Sequence, residues 1–206
     1  MSVHQKAFRE ALHATPLIAI LRGKSPSDTV AIAESLWEQG VSLVEIPLHS
    51  QTSLEAFAAA HSAKAQHPGA LLGVGSVRSL DDYLIARDQG ADFTVSPGLF
   101  DEVCSASATE STAHLPGVFT PSEVGRALDL GFTTVKLFPA ATYGPSGLQA
   151  LRDPFPDVDM VAVGGVNPAN AADYLRHGAI AVGMGSALTR ETHTLSETLS
   201  ALTQNH

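Results

Sequence analysis

The amino-acid sequence predicts an α/β fold: a single-domain (β/α)8 barrel over residues 1–206, with an additional helix at the N-terminus. Short apolar runs alternate with segments of helical periodicity along the whole chain. Glycines follow the helical segments at regular intervals, and no linker or low-complexity segment interrupts the pattern. Eight repeated β-α units close into a barrel, whereas an open doubly wound sheet usually has about five or six strands.

The candidate strands are apolar enough to be covered on both faces, which is typical of parallel strands enclosed by helices. They are LIAIL (17–21), LVEIPL (43–48), LLGVGSV (71–77), FTVSP (93–97), HLPGVF (114–119), TTVKLF (133–138), MVAVGGV (160–166) and IAVGMG (180–185). The turn after the first strand, LRGKSPS, lacks the GxGxxG pattern of a dinucleotide-binding sheet. This difference favours the barrel over the doubly wound sheet.

Helical segments lie between these strands. They include residues 28–39, 54–65, 80–89 and 170–177, and MSVHQKAFREALHAT at the N-terminus predicts an amphipathic helix and not a signal peptide. A capping side chain precedes a proline suited to the first helical position at Ser25-Pro26, Thr120-Pro121 and Asn167-Pro168. Glu123 completes a capping box with Thr120.

The ends of the helices repeat as well, in the sequences EQGVS, DQGAD, DLGFT and RHGAI. Each places a glycine directly after a predicted helix: Gly40, Gly90, Gly131 and Gly178. A left-handed glycine at this position ends the helix and releases the chain into the next strand. The same β-α unit is therefore repeated along the chain.

Composition excludes several classes of function. The formal net charge is -9, from 12 Lys and Arg against 21 Asp and Glu, which argues against a nucleic-acid-binding surface. No apolar run approaches the roughly 18 residues of a membrane span. The only cysteine, Cys104, cannot form an internal disulfide and suits the reducing cytoplasm, where we expect the protein to be located. The nine histidines form no HxH or HxxxH pair, so no catalytic metal is expected.

Lys136 is the most unusual residue of the sequence, because it lies among Val135, Leu137 and Phe138 in a predicted buried strand. Desolvation of an unpaired ammonium costs on the order of several kcal/mol. Lys136 is therefore either half of a buried ion pair with a strand carboxylate, or an amine whose pKa is lowered. A neutral amine near the carboxyl end of a barrel strand can attack a ketone and form a Schiff base.

Glu45 is a second charged residue inside a predicted strand, in LVEIPLHS. A carboxylate here can neutralise Lys136, or it can transfer protons during Schiff-base chemistry. The two roles are compatible, since a partly desolvated carboxyl group beside an amine both gives and takes a proton near pH 7.

Glycine-rich turns end the seventh and eighth predicted strands, in AVGGVNP and GMGSA. Barrels of this kind frequently bind phosphate in these two loops. Backbone N–H groups of Gly164, Gly165 and Gly185, with the Ser186 hydroxyl, can approach an anion there. The other interpretation is that these glycines only permit tight turns.

Two further polar residues follow predicted strands. Arg22 is the first charge after strand one and can bind a carboxylate or a phosphate. Ser76, in GVGSV, can hold a carboxylate through its hydroxyl and its N–H, although most serines at such positions only cap the next helix.

With these residues in place, the chain resembles the 2-keto-3-deoxy-6-phosphogluconate and -galactonate aldolases. The matching stretches, in order, are PLIAILRG, VEIPLHS, GVGSV, VSPG, LPGVFTPSEV, VKLFPA, AVGGVNPAN and GMGSAL, from residue 16 to about 190. The string of motifs is specific, whereas no single motif would be.

The resemblance implies a Schiff-base aldolase. Lys136, in the family's K-x-F-P motif, would form the Schiff base, and Glu45, in its E-[IV]-x-L motif, would transfer protons. Arg22 and Ser76 would help to hold the substrate. The residues implied in phosphate binding are Gly164, Gly165, Gly185 and Ser186. The resemblance also implies a homotrimer and no metal or organic cofactor.

Within the family, LIAILRG, EIPL, FPAATYGP and AVGGV resemble the galactonate branch more closely. The gluconate branch usually has Arg at the position of His49 and Thr at the position of Val163. The galactonate branch usually has Asn at the position of His49. His49 matches neither branch. The expected reaction is cleavage of 2-dehydro-3-deoxy-6-phosphogalactonate, a phosphorylated keto-deoxy sugar acid. The alternatives are the gluconate (4-hydroxy-2-oxoglutarate) aldolase and a phosphosugar epimerase or isomerase on the same barrel.

Overall fold

The computed structural model describes residues 3–110 and 112–185, together with Leu188, Leu199 and Leu202. The strands in these ranges are β1 (Leu17–Ile20), β2 (Leu43–Pro47), β3 (Leu71–Gly75), β4 (Phe93–Val95), β5 (Ala113–Leu115), β6 (Gly117–Val118), β7 (Thr134–Leu137), β8 (Asp159–Val163) and β9 (Ala179–Met184). The helices are α1 (Val3–Ala14), α2 (Pro26–Glu38), α3 (Gln51–Lys64), α4 (Leu80–Asp88), α5 (Asp101–Thr109), α6 (Pro121–Asp129), α7 (Ala140–Arg152) and α8 (Ala171–Arg176).

The strands form one parallel sheet in the order β5-β4-β3-β2-β1-β9-β8-β7-β6. Helices alternate with the strands along the chain, and the two ends of the sheet are the two halves of one predicted strand. The predicted (β/α)8 barrel is therefore confirmed. It differs from the prediction in one respect, because the fifth strand, predicted over 114–119, is divided into β5 and β6.

Pro116 is the reason for this division. Proline has no N–H to donate to a strand ladder, so the ladder is interrupted at this residue. Leu115 O accepts a hydrogen bond from the N–H of Ser96, which directly follows β4, at 3.1 Å. Pro116 O accepts one from the N–H of Lys136 in β7, at 2.8 Å. The segment around Pro116 is therefore hydrogen-bonded to the β4 side of the sheet before the proline and to β7 after it, which closes the barrel.

Two apolar layers enclose the sheet. The larger lies between the strands and the surrounding helices, and it contains residues such as Val44, Phe57 and Leu137. The smaller fills the barrel, where inward-facing residues of successive strands meet. Its members include Ile18, Ile20, Leu43, Phe93, Val95, Leu115, Val161 and Val163.

Helix α1 covers the amino-terminal end of the barrel. Phe8 and Leu12 are buried in the inner apolar cluster. Arg9 Nε donates to Asp159 Oδ2 at 2.6 Å, and Asp159 is the first residue of β8. The predicted N-terminal helix is therefore confirmed, and its position leaves the carboxyl-terminal ends of the strands open.

Two of the three predicted helix starts are confirmed. Ser25 caps α2 by accepting from Asp28 N, and Thr120 forms the predicted capping box with Glu123 at the start of α6. The prediction at Asn167-Pro168 is wrong, because α8 begins only at residue 171. Asn167 Oδ1 instead accepts from Ala169 N, so a turn precedes the helix.

The four predicted helix ends are confirmed, because each glycine has a positive φ: 87° at Gly40, 81° at Gly90, 87° at Gly131 and 96° at Gly178. In the described part of the chain, no helix has the length and apolar character needed to cross a bilayer.

Candidate active site

Lys136 points into the barrel from β7, one residue before the strand ends. Its side chain is only 6% exposed. Burial is the main reason that the pKa of this amine lies below its ordinary value; the charge of Glu45 raises that pKa and the charge of Arg22 lowers it further. Within residues 3–110 and 112–185, no carboxylate is close enough to form a salt bridge with Lys136.

Glu45 points into the barrel from β2, two residues before that strand ends. It is 3% exposed, and burial raises the pKa of its carboxyl group, while the charges of Lys136 and Arg22 oppose the rise. The carboxyl group lies over Gly75 of the neighbouring β3, so closely that a Cβ atom on Gly75 would overlap it. The two buried groups are therefore coupled electrostatically without forming an ion pair.

Arg22 follows β1 and is exposed. Its charge affects the pKa values of three groups: Lys136, Glu45 and His49. The structure thus brings the predicted amine, carboxyl group and guanidinium into one region at the carboxyl-terminal ends of the strands. An arginine placed here raises the local affinity for an anion.

Ser76 and His49 are in contact, with 3.3 Å between Ser76 Oγ and His49 Nε2. Ser76 is a non-glycine residue with a positive φ of 64°, a conformation that is uncommon for residues with a side chain. Burial lowers the pKa of His49, and the charges of Arg22 and Arg78 lower it further. These contacts make Ser76 and His49 part of one polar cluster.

A cavity of about 260 Å³ adjoins this cluster. Its polar lining consists of His49, Ser50, Ser76, Arg78 and Asp82, and the remaining lining residues are apolar. Arg78 was not singled out in the sequence, because a charged residue three positions after a strand is ordinarily a surface residue.

The first glycine turn, Gly164-Gly165, has positive φ values of 90° and 81°. Gly164 O accepts from Ala141 N at 2.9 Å, and Gly165 O accepts from Asn170 Nδ2 at 3.1 Å. These bonds fix the carbonyl groups of the turn. In the described residues the Gly165 N–H has no acceptor, so it is available to a ligand.

The second glycine turn is described only in part. Gly185 O accepts from Leu188 N, while Ser186 lies outside the described residues. Gly183 lies within β9 and faces Val163 of β8, so it belongs to the sheet and not to the turn. Val163 itself is 5% exposed and belongs to the inner apolar cluster.

Two features of the site were not identified from the sequence. The ring centroid of Phe138 lies 4.6 Å from Lys136 Nζ, and Gly75 provides the space for the Glu45 carboxyl group. Both have a signal in the sequence, since each is at an inward position of its strand, where side chains alternate between the two faces. What the sequence does not indicate is which inward residues meet.

The fold and the site together define a class of protein. A (β/α)8 barrel with polar residues at the carboxyl-terminal ends of its strands is characteristic of barrel enzymes, whose active sites lie at that end. Among the described residues there is no group of three or more His, Cys, Asp and Glu side chains that could hold a metal ion.

Comparison with known proteins identifies the family. The family described as "Aldolase: KDPG and KHG aldolase" matches residues 8–204. The chain is 38% identical to the "Probable 2-dehydro-3-deoxy-6-phosphogalactonate aldolase" of Rhizobium meliloti (strain 1021), over 84% of this chain and 81% of that protein. It is 36% identical to the "KHG/KDPG aldolase" of Escherichia coli (strain K12), over 82% of this chain and 79% of that protein.

Solved structures give the same result. The 2-keto-3-deoxy-6-phosphogluconate aldolase of Zymomonas mobilis ZM4, solved with 3-phosphoglycerate, matches with a TM-score of 0.84 and 28% identity, covering 96% of this chain and 97% of that one. The KDPG aldolase of Legionella pneumophila, with pyruvate captured as a covalent carbinolamine intermediate, matches with a TM-score of 0.79 and 28% identity, covering 95% and 94%. The chain belongs to the KDPG and KHG aldolase family, and its reaction class is that of an aldolase, a lyase.

Proposed function

We propose that this protein cleaves 2-dehydro-3-deoxy-6-phosphogalactonate to pyruvate and glyceraldehyde 3-phosphate through a Schiff base on Lys136. The observation that carries the proposal is the buried Lys136 amine, which has no salt bridge to a described residue and a lowered pKa. A neutral amine is the form that attacks a ketone. The covalent carbinolamine in the Legionella aldolase supports this chemistry, and the name of the Rhizobium relative supports the galactonate substrate.

The proposed reaction begins when Lys136 Nζ attacks carbon 2 of the substrate and forms a carbinolamine. Glu45 donates a proton to the departing hydroxyl group, so that water leaves and an iminium ion remains. The Glu45 carboxylate then takes the proton of the 4-hydroxyl group, the bond between carbons 3 and 4 breaks, and the electron pair of that bond moves into the iminium ion. Glyceraldehyde 3-phosphate leaves at this step.

The remaining steps release pyruvate. Glu45 returns a proton to carbon 3 of the enamine, and water hydrolyses the resulting iminium ion, which restores the Lys136 amine. A carboxyl group can both give and take protons when its pKa is raised towards neutrality, and burial raises the pKa of Glu45. The iminium ion is the electron sink, so the proposal requires no metal or organic cofactor.

The substrate's two anionic ends need different partners. We assign the carboxylate to Arg22 and Ser76, and the phosphate to the two glycine turns, through Gly164, Gly165, Gly185 and Ser186. The unpartnered N–H of Gly165 supports the second assignment. Val163 then lies between the two groups, close to the middle of the sugar chain.

The 4-epimer of this substrate is the alternative. The gluconate aldolase activity named for the Escherichia coli relative, which is 36% identical, favours it. By the family resemblance we also propose a homotrimer. A location in the cytoplasm is proposed from the single cysteine, Cys104, which is buried.

The proposal is tested by trapping and by turnover. Borohydride added with pyruvate should attach one three-carbon adduct to Lys136, located by mass spectrometry, and should abolish activity. Pyruvate release should then be measured on both carbon-4 epimers. A label on Lys24 contradicts the assignment of the Schiff base to Lys136. Cleavage that proceeds without any label favours a metal-dependent aldolase, and the absence of both label and cleavage favours the epimerase or isomerase.

A further inference from the structure

Gly75 and Glu45 are neighbours on adjacent strands of the barrel. Gly75 is the last residue of β3, and the register pairs it with Pro47 of β2. A Cβ atom on Gly75 would overlap Glu45 Oε1 and would lie 2.6 Å from its Cδ and 3.0 Å from its Cγ. These distances are well below van der Waals contact, so the carboxyl group occupies the space that a side chain at residue 75 would fill.

Lys136 lies on the opposite side of the barrel. In the order of the strands, β2 and β7 are separated by β1, β9 and β8 on one side, and by β3, β4 and the divided fifth strand on the other. The Glu45 carboxyl group lies next to Gly75 of β3, the strand beside β2, whereas Lys136 lies on β7, across the barrel. The two groups affect each other's charge without forming a salt bridge.

We propose that Gly75 is a positioning residue. Because it has no side chain, the Glu45 carboxyl group can occupy the space beside β3, apart from the Lys136 amine, and the two groups do not form an ion pair. This inference rests on the proposed function and adds a residue to it. If the carboxyl group is displaced from β3, the cations that attract it are Lys136 and Arg22, the charged groups that affect Glu45. A salt bridge would hold Lys136 in its protonated form, which is not a nucleophile.

The experiment compares Gly75→Ala with the wild type. The pH dependence of Lys136 acetylation by limiting acetic anhydride, followed by mass spectrometry, reports the protonation of the amine without any turnover. We expect the midpoint of this profile to move up by about one pH unit, which reduces the neutral amine, and with it the cleavage rate, about tenfold at pH values below the wild-type midpoint. The charged groups that affect this profile are Glu45 from β2 and Arg22 after β1.

Two further variants make the result specific. Gly125→Ala on α6 is the matched control, because a Cβ atom there meets nothing within 4 Å. Its acetylation profile should equal that of the wild type. Gly75→Ala combined with Glu45→Asp shortens the carboxyl side chain by one methylene, which relieves the overlap and should return the midpoint towards the wild-type value.

The outcomes separate this inference from the proposed function. An unchanged midpoint in folded Gly75→Ala overturns the role of Gly75, even if the wild type is trapped normally by pyruvate and borohydride. If the wild type is not trapped at all, the proposed function fails while the acetylation comparison still tests Gly75. If Gly75→Ala does not fold, the combined variant should fold; its failure would place the conflict elsewhere and overturn the inference.

Discussion

The Phe138 ring lies beside the amine of Lys136, with its centroid 4.6 Å from Nζ. The two residues are two positions apart, so their side chains leave the chain on the same side. The face of an aromatic ring favours the protonated amine, whereas burial favours the neutral one. The same ring supports the first glycine turn, because a Cβ atom on Gly164 would lie only 3.0 Å from it.

Replacement of this ring should change the acidity of Lys136. Phe138→Leu removes a cation–π interaction worth roughly 0.5–1 kcal/mol, which lowers the amine pKa by about half a unit. The acid limb of the pH profile of kcat/KM should therefore move to lower pH. Phe132→Leu is the control, because that ring packs against His114 in the outer layer. A shift to higher pH, or an equal shift in both variants, contradicts this interpretation.

Lys136→Met should abolish function without unfolding the protein. Methionine is an unbranched apolar side chain of similar length, and it removes the desolvation cost of a buried amine. We expect no cleavage and no borohydride-trapped adduct, with a free energy of unfolding equal to that of the wild type or about 1 kcal/mol higher. Urea denaturation and mass spectrometry measure the two effects. An inactive but clearly destabilised variant would indicate that Lys136 is held by a structural ion pair.

Glu45→Gln should separate proton transfer from Schiff-base formation. Loss of a general acid–base group typically reduces the rate by about 10²–10⁴-fold. Because the charge of Glu45 raises the pKa of Lys136, its removal should lower that pKa, so the amine remains available at pH 7. Borohydride trapping with pyruvate should therefore still label Lys136, although more slowly because Glu45 also assists the loss of water, while kcat falls. Full loss of trapping together with full activity loss would instead give Glu45 a role in holding the substrate.

Local sequence signals predict most of the fold. Gly40 and its three equivalents predict the helix ends, and Thr120 with Glu123 predicts the start of α6, because these interactions are made within a few residues. The divided fifth strand was not predicted, although Pro116 is visible in the sequence. Whether a proline interrupts a ladder depends on which neighbours require its N–H, and the sequence does not give that.

The candidate site shows the same division between local and long-range information. Lys136 and Glu45 are conspicuous because a charged residue in an apolar strand has an unfavourable environment. Gly75 and Phe138 were missed because each acts through a partner on the same inner surface, and this partner is fixed only by strand order and register. His114, on the outward side of the barrel, is a similar case. Its ring contacts Thr94, Tyr83 and Phe132, which come from three separate segments of the chain.

The stability of the protein should depend on pH through His114. This side chain is fully buried, with 2.8 Å between its Nδ1 and Thr94 Oγ1 and 3.4 Å between its Nε2 and Ser96 Oγ. Burial lowers its pKa to about 3. In the unfolded chain the pKa is about 6.5, so below pH 6.5 the unfolded state binds a proton that the folded state does not.

The contribution of His114 is therefore complete above pH 6.5 and declines as the pH falls from 6.5 towards 3. At pH 4.5 the expected loss is about 2–3 kcal/mol of unfolding free energy relative to pH 7. His114→Gln cannot take up this proton, so its unfolding free energy should fall less between pH 6.5 and 4.5 when both proteins are followed by urea denaturation. Equal slopes for the two proteins would mean that His114 does not carry this dependence.

The last prediction concerns the choice between the two carbon-4 epimers. Val163 ends β8 directly before the Gly164-Gly165 turn, and it faces the inside of the barrel. A threonine at this position would have nearly the same shape and could donate a hydrogen bond to a hydroxyl group of one configuration. Valine cannot, and a neutral hydrogen bond of this kind contributes on the order of 1 kcal/mol. We therefore expect higher kcat/KM on the galactonate substrate, and a shift of about fivefold towards the gluconate epimer in Val163→Thr.

Val161→Thr is the matched control for this substitution. Val161 lies two residues earlier on the same strand and also faces the inner cluster, but it is fully buried, whereas Val163 is 5% exposed at the end of the strand. A threonine at either position buries a hydroxyl group, so both variants should lose stability. Only Val163→Thr should change the ratio of kcat/KM for the two epimers, because only that hydroxyl group would reach the sugar chain. A wild-type preference for the gluconate epimer of tenfold or more, about 1.4 kcal/mol in the transition state, would contradict the galactonate assignment.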